Sequence, residues 1–284
     1  MSTKPFLQAV EVWIPDGERL RRQSGAYVEH ASEVGTYARG EALPGTVWAE
    51  QRPIIEHASA AFPMLRDGNV VAVVALRCDA DAGGCIELWQ PNDLRELALS
   101  AGYYGQLRPF EELSRLLRFQ RGRGLPGIVW ERGLPHVMPD LKAAGAFIRA
   151  AAARTAGVDA GLGVPLFRDG ELAQVLLLLS AHATPLARAF ELWRVEPGPT
   201  LRLSEFYYAS ELGLGETPGT RPAQPPGEGL ALRVLATMLP VASQAPHTLT
   251  PSRGAAPSRL SFTLGLGLPV HDGTELRAVV TLLS

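Results

Sequence analysis

The sequence predicts an α+β chain built from three tandem copies of one unit, and three recurring blocks predict it. The first block has the form apolar-Glu-apolar-Trp: Val10-Glu11-Val12-Trp13, Ile86-Glu87-Leu88-Trp89 and Phe190-Glu191-Leu192-Trp193. The second is a Leu followed ten residues later by a Pro: Leu43 to Pro53, Leu125 to Pro135 and Leu230 to Pro240. The third is an apolar-Pro-apolar triplet ahead of Asp-Gly: Phe62-Pro63-Met64 before Asp67-Gly68, Val164-Pro165-Leu166 before Asp169-Gly170, and Leu268-Pro269-Val270 before Asp272-Gly273. Self-similarity of this kind marks a repeat architecture, and it sets the frame for every single element.

Taken in order, the first block alternates apolar and polar positions with β-branched and aromatic residues, which reads as a strand. A turn follows each copy, at Pro15-Asp16-Gly17, Pro91-Asn92-Asp93 and Pro197-Gly198-Pro199. The stretch after each turn ends in Tyr27, Tyr103-Tyr104 and Tyr207-Tyr208, so each unit opens on a hairpin. The second block, Leu43-Pro44-Gly45-Thr46-Val47-Trp48 and Leu125-Pro126-Gly127-Ile128-Val129-Trp130, is a turn into a short helix. Its third copy, Leu230 to Leu235, lacks the Pro-Gly and the Trp. Trp48 and Trp130 are expected at equivalent core positions. The third block is a second hairpin, because Asp-Gly between apolar runs is a strong hairpin signal. The runs Val70 to Leu76, Leu172 to Leu179 and Leu276 to Leu283 are nearly continuously apolar, which demands cover on both sheet faces. The units span 7–79, 83–181 and 187–284.

The copies differ in one interval. From Pro135 to Pro165 is 30 residues, from Pro240 to Pro269 is 29, and from Pro53 to Pro63 only 10. The second unit fills the interval with Phe147 to Arg154, a helix by propensity, with Gly157 as its stop. The third fills it with Thr248 to Ser258, which reads as a loop. The second unit also carries Pro109 to Arg118, where Phe110, Leu113, Leu116 and Leu117 form one helical face. The third has Glu216 to Gly227 instead, rich in Pro and Gly, a surface loop.

Composition bounds the function. A chain of 284 residues with 46% hydrophobic content accommodates two or three domains and a sizeable core. The net charge of −2 argues against a general attraction to nucleic acid or anionic membrane. Lys occurs only at Lys4 and Lys142, the other basic residues being Arg. The longest apolar runs are strand-sized, far short of the ~20 residues a membrane span needs, so no membrane insertion is expected. The Met-Ser-Thr-Lys-Pro-Phe start lacks a signal peptide's apolar core. Cys78 and Cys85 make no disulfide framework, and whether they pair stays open. A cytoplasmic protein is expected. The six histidines include no i,i+4 pair and no cluster with Cys, so no metal site is expected. Gly122-Arg123-Gly124-Leu125-Pro126-Gly127 is no dinucleotide loop, since it recurs as Gly40 to Gly45 and follows no buried strand. With no Ser-His-Asp set, phosphate loop or zinc motif, no catalytic residue, no cofactor and no enzymatic activity are expected.

The stretch from Gly122 to Leu141, with Gly-Leu-Pro-Gly-Ile-Val-Trp, Gly133-Leu134-Pro135 and Pro139-Asp140-Leu141, resembles the middle of a GAF domain, a small sensory α+β module. The resemblance implies three tandem GAF-like modules, each a central antiparallel sheet with helices on its faces. The module at 7–79 is shortened and lacks a roof, that at 83–181 is the most complete, and that at 187–284 is divergent. In the family the Pro135–Pro165 interval roofs a ligand pocket. That makes His136, Asp140, Phe147 and Arg154 the candidate ligand-binding residues. Each has an ordinary alternative: a surface strand histidine, a turn residue, a core residue and a solvated helix residue. One branch of the family reduces free methionine sulfoxide with pocket cysteines, but Cys78 and Cys85 sit at the junction of the first two units. No cysteine is placed for phytochrome-type chromophore attachment. The Asn-Lys-x-Phe-Asp signature of cyclic-nucleotide binders is absent. The linkers are too short for signalling helices, and no output domain is expected beyond the last strand. The expectation is a non-catalytic sensory protein that binds an unidentified small molecule in the second module and signals to a separate protein partner. The alternative is an interaction scaffold with vestigial pockets. Assembly with further copies stays open.

Overall fold

In the computed structural model, which describes residues 4–198, 200–212, 229–249, 259–272 and 275–284, each Glu-Trp block opens a sheet. The first segment runs β1 (Leu7–Asp16), β2 (Arg19–Tyr27), β3 (Thr36–Ala38), α1 (Ala42–Glu50), β4 (Ile54–Glu56), β5 (Ser59–Arg66) and β6 (Asn69–Cys78). The second runs β7 (Gly83–Pro91), β8 (Leu97–Gly105), α2 (Arg108–Leu116), β9 (Arg118–Phe119), α3 (Gly124–Arg132), β10 (His136–Met138), α4 (Ala150–Ala156), β11 (Val158–Arg168) and β12 (Glu171–Ala181). The third runs β13 (Ala189–Glu196), β14 (Thr200–Tyr208), a 3-10 turn at Ser210–Leu212, α5 (Leu230–Thr237), β15 (Val241–Gln244), β16 (His247–Leu249), β17 (Arg259–Ser261), β18 (Leu264–Asp272) and β19 (Glu275–Leu283).

Three antiparallel sheets result, ordered β3-β2-β1-β6-β5-β4, β10-β11-β12-β7-β8-β9 and β14-β13-β19-β18-β15. Within each, the two hairpins lie side by side, with the first and last strands of the segment paired at the centre. Even the irregularities recur. Each opening strand is bulged immediately before its Trp, at Val12/Trp13, Leu88/Trp89 and Leu192/Trp193. Each closing hairpin is bulged at Met64/Leu65, Leu166/Phe167 and Val270/His271.

The Leu-Pro-Gly blocks are helices α1 and α3. Pro44 and Pro126 fall in the first turn, where a missing N–H leaves no hydrogen bond unmade. Gly45 and Gly127 are required by space: a Cβ there would lie 2.2 Å from the Ala38 carbonyl oxygen and 2.1 Å from that of Gln120. The roof helix of the second segment starts later than propensity predicts, at Ala150, and it ends at Gly157 with φ +68° as expected. In the third segment β16 and β17 pair across the stretch expected to be loop, β16 overlapping it at Thr248 and Leu249. The remainder of that stretch, the Glu216–Gly227 loop and the Pro199 and Gly273 turn positions lie outside the described residues.

The cover on the apolar strands differs from what the resemblance implies. In each segment the helices lie on one face only. The other faces of all three sheets share one core, which includes Val12 and Phe62, Leu88 and Leu178, Leu192 and Leu266. Short edge strands close the arrangement into a ring: β4 lies against β8, β10 against β14, and β15 against β2. Polar links sit on the seams. Arg66 donates to the Met238 carbonyl at 2.7 Å, and Arg168 donates to the Gln51 carbonyl. Met238 and Gln51 are the left-handed C-caps of α5 and α1, so each guanidinium meets the negative end of a helix from another segment. On the third seam Glu205 accepts from Val137 N at 2.8 Å.

Trp48 and Trp130 occupy equivalent positions on α1 and α3, and Trp48 is buried in the core of its segment as expected. Trp130 is half-buried, and each ring lies under an arginine, Arg39 over Trp48 at 5.3 Å and Arg121 over Trp130 at 5.6 Å. The fully buried tryptophans are Trp13, Trp89 and Trp193 of the opening strands.

Candidate functional site

Strand alternation puts the block glutamate and the Trp two residues later on the same face, the one the helices cover. The Trp indole N–H donates to that carboxylate in all three sheets, at 3.2 Å for Trp13–Glu11, 2.9 Å for Trp89–Glu87 and 3.0 Å for Trp193–Glu191. The tyrosine closing each opening hairpin reaches the same group. Tyr27 and Tyr208 donate to Glu11 and Glu191, both at 2.7 Å. Their counterpart Tyr104 lies beside Glu87 and Ser114, yet its buried hydroxyl meets neither in hydrogen-bonding geometry.

The second segment elaborates this motif into a buried charged centre. Arg149, at the entry to α4, donates through Nη1 to Glu87 Oε1 at 2.5 Å and through Nη2 to Glu87 Oε2 at 2.9 Å. Arg149 Nη1 also donates to Ser114 Oγ at 2.6 Å, and that hydroxyl lies 3.1 Å from Glu87 Oε1. Both charged side chains are 0% exposed. Four rings surround the guanidinium, Phe110 at 4.6 Å, Phe147 at 5.2 Å, Trp89 at 5.7 Å and Phe119 at 6.0 Å. Such rings favour a desolvated cation. Burial opposes charge on both partners, and each partner's field outweighs it: Glu87 is held below the usual carboxylate range and Arg149 is raised. Arg149 Nε has no hydrogen-bond partner among the described residues.

The four residues expected to bind a ligand are placed as follows. His136 lies on β10, with Nδ1 2.9 Å from Glu205 Oε2 of β14, and so faces the third sheet. Asp140 is exposed and accepts from Lys142 N and Ala143 N, both at 3.0 Å, as a turn residue. Arg154 is exposed near the end of α4 and donates to the Lys142 carbonyl at 3.3 Å. Phe147 is buried and packs on Arg149. Five cavities among the described residues are lined by none of the four. The residues that do converge are Glu87, Trp89, Tyr104, Ser114 and Arg149, which no sequence motif marks as a site. The available signal was a glutamate at the same inward-facing position in all three opening strands. The cysteines are free and buried, and burial pushes both thiols well up, away from the reactive thiolate. No helix among the described residues is long and apolar enough to cross a membrane.

No family model matches the chain, and no curated protein does. Among solved structures, a NreA protein of Staphylococcus aureus mutated in its nitrate binding site is similar at 20% identity and a TM-score of 0.30, over 37% of this chain and 80% of that one. The nlh2 GAF domain of A. Aeolicus in an inactive state is similar at 22% and 0.29, over 35% of this chain and 58% of that one. A free methionine-R-sulfoxide reductase of Neisseria meningitidis in complex with its substrate is similar at 25% and 0.27, over 34% and 52%.

Proposed function

We propose that the chain is a non-catalytic interaction protein of three GAF-like modules, 7–79, 83–181 and 187–284, that acts through a separate protein partner. One observation carries this reading: the Arg149 side chain, paired with Glu87, fills the space between sheet and roof in the second module. A pocket occupied by a bidentate ion pair of the chain itself is a structural centre, and the module then acts through its surface.

A second reading, a sensor that takes a small molecule in the interior of the second module beside Phe147, Arg149 and Tyr104, is favoured by a different observation. Arg149 Nε and the Tyr104 hydroxyl are buried without partners, and buried polar atoms are rarely left so. A ligand that supplied those partners would have to move Arg149. A thermal-shift screen with a metabolite library separates the two, because a ligand bound to the folded state raises stability as RT ln(1 + [L]/Kd). The interaction reading expects no compound to shift the wild-type transition while displacing the Trp89 indole proton resonance. A compound that does both establishes the sensor.

A further inference from the structure

The three apolar-Pro-apolar triplets meet at one end of the shared core. There the hairpins β5–β6, β11–β12 and β18–β19 converge around a cavity of about 350 Å³. Its walls include Phe62, Met64, Val164, Leu166, Leu268 and Val270, two from each segment. The hairpin tips Asp67 and Asp169 stand exposed at its rim. One polar atom inside is unsatisfied: His271 Nε2 is buried and has no hydrogen-bond partner among the described residues. Its counterparts in the other two hairpins are Leu65 and Phe167, so the imidazole breaks an otherwise apolar ring.

Three facts define what fits. The volume matches a ligand of one or two rings, at the small end of the ~300–1,000 Å³ typical of small-molecule sites. The Arg66 guanidinium, which lines the cavity, is engaged by the Met238 carbonyl. Burial, and after it the charge of Arg66, holds His271 below its usual value, so the imidazole is neutral at pH 7. The rim carboxylates oppose an anion, and among the described lining residues there is no further carboxylate to balance a cation.

We propose that this axial cavity is a binding site for a neutral, largely apolar ring compound carrying one hydroxyl, with the hydroxyl on His271 Nε2 and the rings against the six apolar side chains. A hydroxyl both donates and accepts, so it suits either imidazole tautomer. The site belongs to no single segment. It stands whichever reading of the second module holds.

The probes are 2-naphthol, naphthalene and 2-naphthoate, which share one shape and differ in head group. Each is titrated into the full chain and followed by the His271 Hε1 resonance. Saturable binding of 2-naphthol is expected, at least tenfold tighter than 2-naphthoate. His271→Leu, which lacks that resonance and is followed by the fluorescence of the bound ring compound, should lower 2-naphthol to the affinity of naphthalene. Filling the cavity by Leu166→Trp, or from the neighbouring hairpin by Val270→Phe, should abolish binding in whichever variant keeps the native circular dichroism spectrum. The proposal is overturned by an unmoved His271 signal in the wild-type chain, or by a response confined to the Trp89 indole proton, which would locate binding in the second segment's interior. Undiminished binding in a folded, filled variant overturns it as well.

Discussion

Arg149 and Glu87 lie 62 residues apart in sequence and meet fork to fork with neither side chain exposed. Removing one partner of such a pair leaves an uncompensated buried charge. Arg149→Met is therefore expected to cost about 3–5 kcal/mol in denaturant unfolding, and Glu87→Gln a similar amount. The double variant should recover part of that loss, since two neutral groups carry no unpaired charge. Near-zero effects for both single variants would mean that water reaches the pair.

Much of this architecture was legible locally. Asp-Gly tips, Leu-Pro-Gly helix starts and the Glu-Trp alternation are short-range signals, and the strands and helices they predict form among the described residues. What covers the strands was not legible. Continuous apolar runs such as Val175 to Leu179 say that both faces are buried, and say nothing of whether helices or another sheet bury them. Arg149 was hidden for a related reason. It sits in an alanine-rich run that reads as a solvated helix, and only the fold turns it inward onto a glutamate from a distant strand. His136, expected beside a ligand, lies against Glu205 of the third segment, a contact that no local pattern announces.

The tryptophans should separate sharply. Trp89 is fully buried against Phe119 at 4.7 Å and holds Glu87 in place, so Trp89→Ala is expected to cost about 3–5 kcal/mol. Trp130 is half-buried under Arg121. Its truncation should cost only about 1 kcal/mol, the scale of an exposed cation–π contact with modest burial. Equal losses, measured as denaturant midpoints at constant slope, would place both rings in comparable environments.

Acid should loosen the seam between the second and third segments first. Burial raises Glu205, but the hydrogen bonds from His136 and Val137 N prevail and lower it below the usual carboxylate value. A lowered folded-state pKa contributes stability that is complete above the unfolded value, about 4.3 for Glu. That contribution is lost as pH falls below this value and through the folded one. Glu205→Gln is expected to remove about 1–2 kcal/mol at pH 7, on the scale of charged hydrogen bonds, and to flatten the pH dependence of stability below pH ~4.3. A variant with the wild-type pH profile would assign the acid sensitivity to other carboxylates.

The shared core makes the segments interdependent. Residues 83–181 expressed alone would expose Ile86, Leu88, Leu162, Val164, Leu176 and Leu178, all buried in the whole chain. Burying each large aliphatic side chain is worth about 1.5–3 kcal/mol. Contiguous apolar faces of this kind drive association in water. The isolated segment is therefore expected to self-associate or precipitate, and Leu88→Asp with Leu178→Asp to restore solubility to it while destabilising the full chain. The full chain should unfold in a single transition, because the three sheets lose the same core together. Sedimentation of the segment and calorimetry of the full chain test both halves. A monomeric, cooperatively folded 83–181, or separate calorimetric transitions in the full chain, would mean that each sheet is stabilised by its own helices and that the shared core adds little.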